Sequence, residues 1–138
     1  MRFSIIILLS FFIQSIFSQT SLTIPQIQGT GTSSSYDSQI ITTNGIVTAK
    51  FVGSGKVGGY FLQDAVGDGN PLTSDGIFVS TTTDNVTVGD KVEITATVRE
   101  YSSRRQLGSV TKTTMTTSNN ALPATKAIYN GSNSSSSK

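Results

Sequence analysis

The sequence has 138 residues, of which ten are Lys or Arg and eight are Asp or Glu, so its net charge is +2 at pH 7. It contains neither cysteine nor histidine, which excludes disulfides and argues against Ser–His or Cys–His nucleophiles and most zinc sites. Catalysis by carboxylates alone stays open, and we predict a chain that is not an enzyme.

The first 18 residues have the pattern of a secretory signal peptide. Arg2 precedes an apolar run from Ile5 to Ile13, and this run is shorter than the ~20 residues that span a bilayer. We expect cleavage after Ser18, a secreted chain beginning at Gln19, and no membrane association afterwards; an uncleaved anchor is the alternative. Removing these 18 residues from 138 leaves 120, with nine basic and eight acidic side chains. Any attraction to a polyanion must then come from a local patch.

Residues 19–38 form a mostly polar lead-in, which we predict to be a short extended segment followed by a loop. The first long strand is predicted over residues 39–52, where Gly45 indicates a bulge or a sharp bend. Alternate positions in it are apolar or small and are expected to share one face: Ile41, Gly45, Val47, Ala49 and Phe51.

The central stretch, residues 58–79, contains two short apolar runs at 60–62 and 77–79. They flank a loop rich in Gly, Pro, Asn and Asp, which is typical of two strands joined by turns. If the aliphatic side chains of these runs fill the core, Phe61 and Phe78 have the opposite parity and lie on the outer face.

The second half of the chain contains the clearest strand, residues 91–101. Its inward positions are predicted to be Val92, Ile94, Ala96 and Val98, and its outward positions Lys91, Glu93, Thr95, Thr97, Arg99 and Tyr101. A loop over residues 102–105 and a Thr-rich fifth strand over 106–115 follow. Residues 119–138 are rich in Ser and Asn and are predicted to be a flexible tail.

Five predicted strands without helical periodicity indicate an all-β protein, and we predict a small five-stranded Greek-key barrel of the OB type over residues 39–118. Several sequence blocks also resemble the OB-fold-like N-terminal domain of secreted bacterial nucleases. The resemblance covers residues 24–115 and lies in these blocks: Ile24-Pro25-x-Ile27-Gln28-Gly29-Thr30-Gly31, Gly45-Ile46-Val47-Thr48-Ala49, Tyr60-Phe61-Leu62-Gln63-Asp64 with Gly67-Asp68-Gly69, Ser74-Asp75-Gly76-Ile77-Phe78-Val79 and Val88-Gly89-Asp90-Lys91-Val92.

In those nucleases the domain precedes a catalytic domain of the endonuclease/exonuclease/phosphatase type, which this sequence lacks. The resemblance therefore implies a non-catalytic accessory module that binds nucleic acid.

Two groups of residues are candidates for nucleic-acid binding. Phe61 and Phe78 are placed to stack on bases, and a basic group at the end of the fourth strand is placed to contact phosphates. Two alternatives stay open: the rings are covered or belong to the core, and nearby glutamates neutralise the basic group. That group comprises Arg99, Tyr101, Arg104 and Arg105.

The central loop also has the composition of a calcium site, with oxygen ligands at Asp64, Asp68, Asn70 and Asp75. A turn in which these side chains bind their own backbone is the alternative. No other cofactor is predicted. Three sequons predict surface positions where a glycan is attached: Asn85, Asn130 and Asn133.

The sequence thus predicts a secreted binding module for single-stranded nucleic acid or another extended polymer. The alternatives are a carbohydrate- or cell-surface-binding module and a truncated fragment of a secreted nuclease.

Overall fold

A computed structural model describes residues 19–83 and 85–125. The predicted signal peptide, most of the predicted tail, and the sequons at Asn130 and Asn133 lie outside the described residues. Within the described ranges, no helix has the length and apolar character needed to cross a membrane.

The described chain is almost entirely β-structure, which confirms the predicted all-β class. Its elements are β1 (Thr20–Ser21), α1 (Ile24–Gln28), β2 (Ile40–Phe51), β3 (Gly59–Gln63), β4 (Gly76–Ser80), β5 (Lys91–Tyr101) and β6 (Arg104–Thr117). The sheet of the described residues has six strands rather than five, because the two-residue β1 pairs in parallel with the start of β2.

Strand pairing follows the order β1-β2-β3-β4-β6-β5, and β5 also pairs with β2. Each of the five longer strands therefore pairs with two others of the five, and β2 also pairs with β1. The β4–β6 pair is parallel, and the other pairs among these five strands are antiparallel.

The predicted extended lead-in contains a short helix instead. Thr23 caps α1, because its hydroxyl accepts from the Gln26 backbone N–H at 3.4 Å and Gln26 Oε1 accepts from the Thr23 N–H at 2.9 Å. This reciprocal capping box, with Pro25 in the first turn, starts a helix that is too short to show periodicity in the sequence. Ile24 and Ile27 are fully buried and attach α1 to the core.

The core is built from aliphatic side chains of α1, the five longer strands and Val86 in the β4–β5 connection, together with Tyr60, and no phenylalanine of the described residues belongs to it. The four predicted inward positions of β5 are all completely buried, as expected. Thr95 was expected to face solvent but is only 5 % exposed. Its hydroxyl lies 3.1 Å from that of Thr42 on the adjacent strand and 3.5 Å from Gln19 Oε1.

An irregularity in β2 lies between Val47 and Ala49, where the register with β3 shifts. It reverses the alternation of faces, so the prediction that Phe51 faces the core with Val47 is wrong: Phe51 is 38 % exposed on the outer face. At Gly45, where we predicted the bulge, β3 instead passes very close. A Cβ there would lie 2.7 Å from the Gln63 carbonyl oxygen.

The β5–β6 connection is tighter than predicted. Tyr101 pairs with Arg104, so the loop is Ser102-Ser103 alone, and both arginines of the predicted loop begin β6. Ser102 and Ser103 have φ values of 48° and 60°. Two consecutive positive φ angles are typical of a type I′ hairpin turn, which favours Asn-Gly.

We expect Ser102→Asn combined with Ser103→Gly to raise the free energy of unfolding by about 1 kcal/mol, since Gly and Asn adopt positive φ at lower cost. Urea denaturation of the variant and the wild type measures this difference. Ser102→Ala with Ser103→Ala keeps the unfavourable conformation and is the matched control. Equal stability of the Asn-Gly and Ala-Ala variants would contradict the assignment of this turn.

Tyr60 is the one aromatic residue of the described core, and its hydroxyl makes no hydrogen bond of acceptable geometry with the described residues. Burial raises the pKa of Tyr60 above its ordinary value of 10.0, while the Thr113 hydroxyl nearby opposes this rise. The Thr113 hydroxyl does not form a hydrogen bond with the Tyr60 hydroxyl, so burial has the larger effect on the pKa of Tyr60.

Tyr60→Phe is therefore expected to leave stability at pH 7 unchanged or to raise it by up to ~1 kcal/mol, because it removes a buried hydroxyl without a partner. The raised pKa predicts that the wild type loses stability as the pH rises above 10, since the unfolded chain then ionises first. The variant lacks this component. Urea denaturation at pH 7, 10 and 11 tests both points, and parallel pH profiles for the two proteins would count against this account.

Candidate functional site

Of the seven phenylalanines in the sequence, four lie in the predicted signal peptide. The other three, Phe51, Phe61 and Phe78, form an aromatic row across β2, β3 and β4. The Phe51 and Phe61 ring centroids are 6.3 Å apart at 88°, and those of Phe61 and Phe78 are 5.2 Å apart at 59°.

The strand register explains why the row faces outward. Phe61 pairs directly with Phe78, and the next pair along the hairpin is Leu62 with Ile77. The aliphatic pair is buried, whereas Phe61 is 43 % exposed and Phe78 is half-buried. The structure thus places both rings where the sequence predicted, and adds Phe51 through the register shift in β2.

A glycine shapes the surface under the row. A Cβ at Gly59 would lie 2.5 Å from Phe78 Cζ and 2.2 Å from the Val79 carbonyl oxygen. The absence of a side chain at Gly59 therefore lets the Phe78 ring lie over β3.

The aromatic row forms the floor of an open groove of about 1320 Å³. One wall comes from the segment after α1, and the other comes from the β5–β6 hairpin. The lining side chains outside the row include Gln28, Thr32, Val57, Tyr101, Arg104 and Arg105. The two predicted groups, the rings and the basic group, therefore meet in a single groove. Arg99 is the one member of the basic group that does not line it.

Arg105 lies in the groove wall but is occupied by contacts within the protein. Its Nε donates to Glu100 Oε1 at 2.8 Å, and its Nη2 donates to the Gly31 carbonyl oxygen at 2.5 Å. Glu100 Oε1 also accepts from the Ser34 N–H at 2.8 Å. The pair fastens the lead-in to the β5–β6 hairpin, and the Arg105 side chain is only 9 % exposed.

The other members of the predicted basic group differ in position. Arg104 is exposed at the groove rim, and Tyr101 beside it is 65 % exposed. Arg99 does not line the groove; its Nη2 lies 3.4 Å from Ser109 Oγ on β6. Of the predicted phosphate contacts, Arg104 therefore has the most favourable position.

In the central loop, three of the four predicted calcium ligands accept hydrogen bonds from the loop's own backbone: Asp64, Asp68 and Asn70. Asp64 Oδ1 accepts from the Val66 and Gly67 N–H groups at 3.1 Å, and Asp68 Oδ1 accepts from the Asn70 N–H at 2.9 Å. This confirms that the residues stabilise turns.

The Asn70 side chain follows the same pattern, and the Asp75 carboxylate lies beside the loop. Asn70 Oδ1 accepts from the Leu72 N–H at 3.0 Å, and the Asp75 carboxylate lies against Gly67, where a Cβ would be 2.6 Å from Oδ2. Among residues 19–83 and 85–125, no three acidic side chains form a group that could hold a metal ion. Structural calcium stays a prediction.

Of the predicted glycosylation sites, Asn85 falls within the described residues. Its side chain is exposed, which is the position that an attached glycan requires.

Comparisons of the chain with family models, with curated proteins and with solved structures find no match.

Proposed function

We propose that the protein is a secreted, non-catalytic module of the OB type that binds single-stranded nucleic acid, similar to the accessory domain of secreted bacterial nucleases. The pairing of the five longer strands supports this, because the order β2-β3-β4-β6-β5 and the return from β5 to β2 are those of a five-stranded Greek-key barrel. In this proposal β1 is an addition outside the barrel.

The observation that carries the proposal is the position of the aromatic row. OB folds bind oligonucleotides and oligosaccharides on the face of their second and third strands, between the loops that follow the first and fourth strands. Here those strands are β3 and β4, which carry Phe61 and Phe78, and the two loops contribute Val57 and Ser103 to the groove. Exposed rings in such a groove provide stacking surfaces for bases.

The carboxylate content of the groove favours a binding function over catalysis. Glu100 supplies the sole carboxylate among the described residues that line the groove, and it is held by Arg105 and the Ser34 N–H. Hydrolysis by general acid and base uses two positioned groups, which a single engaged carboxylate does not provide.

The proposal is tested by fluorescence anisotropy with the purified secreted chain and a labelled single-stranded oligonucleotide at low salt. We expect saturable binding that duplex DNA of the same sequence does not reproduce. Failure to bind single strands even at low salt would contradict the proposed function.

A carbohydrate-binding function is the second candidate, and the Arg105–Glu100 pair is the observation that favours it. The pair leaves the groove with little positive charge, and aromatic rings with neutral polar neighbours suit sugars as well as bases. Binding to a neutral glycan that is indifferent to salt would support this alternative. The third candidate, a fragment of a secreted nuclease, would be supported by an open reading frame that continues past Lys138.

A further inference from the structure

The next inference rests on the proposed function and specifies the ligand of the same groove. We propose that the groove holds an unpaired strand through its bases, and that a single backbone phosphate is bound, at Arg104.

The charges of the groove limit the number of phosphates that it can bind. Its lining residues include three that are charged at neutral pH: Glu100, Arg104 and Arg105. The carboxylate and Arg105 lie 2.8 Å apart, so they neutralise each other. Among the described lining residues, Arg104 supplies the remaining charge.

The geometry of Arg105 excludes it as a second phosphate ligand. Its guanidinium already donates to Glu100 and to the Gly31 carbonyl oxygen, and the side chain is almost completely buried. A phosphate at Arg105 would have to displace the carboxylate and release the lead-in wall of the groove. Arg104, which follows the turn and is exposed, requires no such rearrangement.

Two of the neutral polar side chains that line the groove, Gln28 and Ser74, are also engaged with the protein. Gln28 Nε2 donates to the Gly76 carbonyl oxygen at 2.6 Å, and the Ser74 hydroxyl donates to the same oxygen at 2.9 Å. The aromatic row and Tyr101 supply the ring surfaces that a ligand can contact. Stacking needs bases that are not already stacked in a helix, which restricts the ligand to unpaired strands.

Three probes of the same length, about eight nucleotides, separate bases from phosphates in their contribution to binding. The first is an ordinary oligothymidylate, the second has uncharged methylphosphonate linkages, and the third keeps every phosphate but is abasic. We expect the uncharged probe to bind within a few-fold of the ordinary one, and the abasic probe to lose binding. An abasic probe that binds as tightly as oligothymidylate would overturn the inference.

The salt dependence counts the phosphates. One contact to a single strand gives a slope of log K against log salt of about −0.7, which is about a 2.6-fold loss of affinity between 50 and 200 mM salt. Arg104→Gln should bring the slope close to zero. Arg99→Gln, the matched control outside the groove, should leave it unchanged.

A wild-type slope of about −1.4 or steeper would mean two or more phosphates and would overturn the inference while the proposed function stands. If neither the ordinary nor the uncharged probe binds, the proposed function itself is wrong. The two failures are therefore distinguishable.

Discussion

Replacing Phe61 and Phe78 together by alanine is expected to weaken oligonucleotide binding by about 30-fold or more. Base–aromatic stacking contributes roughly 1–3 kcal/mol per base, so the loss of two stacking rings removes at least ~2 kcal/mol of binding free energy. Anisotropy titrations measure the affinity. Circular dichroism and urea denaturation show whether the fold survives, which we expect because neither ring belongs to the described core.

The matched control for this pair is Phe61→Tyr with Phe78→Tyr, which keeps both ring faces. This control should retain most of the affinity. If the alanine variant binds as tightly as the tyrosine variant, the rings do not form the ligand surface and the groove has another role.

Arg104 and Arg105 are neighbours in the sequence with the same chemistry, yet we predict a large loss of stability on replacing Arg105 and almost none on replacing Arg104. Arg105→Gln should lower the free energy of unfolding by about 3 kcal/mol, because it leaves the Glu100 carboxylate without its charged partner in a largely buried position. Urea denaturation at neutral pH measures this change.

Arg104→Gln is the matched control and should change stability by less than about 0.5 kcal/mol, as is usual for exposed positions. Equal stability losses in the two variants would show that the Arg105–Glu100 pair does not hold the lead-in as described. The Glu100 side chain is 24 % exposed, so the expected loss of unfolding free energy in Arg105→Gln lies at the lower end of the range for buried pairs.

Alternation of apolar and polar residues was sufficient to predict much of the fold. The inward positions of β5 and the outward position of Phe61 follow directly from it, because each side chain in a regular strand faces the side opposite to its neighbours. The loop between β3 and β4 was recognisable from its Gly, Pro, Asn and Asp content.

Phe51 shows where this reasoning fails. A register shift between Val47 and Ala49 moves Phe51 to the outer face, and the position of such a shift depends on contacts with β3 that the sequence of β2 does not contain. Gly45 was expected to mark an irregularity, but the register shift lies further along β2, and Gly45 instead allows the close approach of β3.

The sequence contains a local signal for the start of helix α1. Thr23 and Gln26 have the spacing of a capping box, with Pro25 between them. The role of Arg105 had no such signal: Glu100 was a possible partner in the sequence, but the choice between Arg104 and Arg105 is made by the two-residue turn, which pairs Glu100 with Arg105 across the hairpin.

The most direct test of the aromatic row as ligand surface is an NMR titration with ring-labelled phenylalanine. Residues 19–138 contain three phenylalanines, Phe51, Phe61 and Phe78, and all three line the groove. We predict that the ring resonances of all three phenylalanines shift on addition of a single-stranded oligonucleotide. Binding that leaves all three sets of resonances unchanged would contradict it.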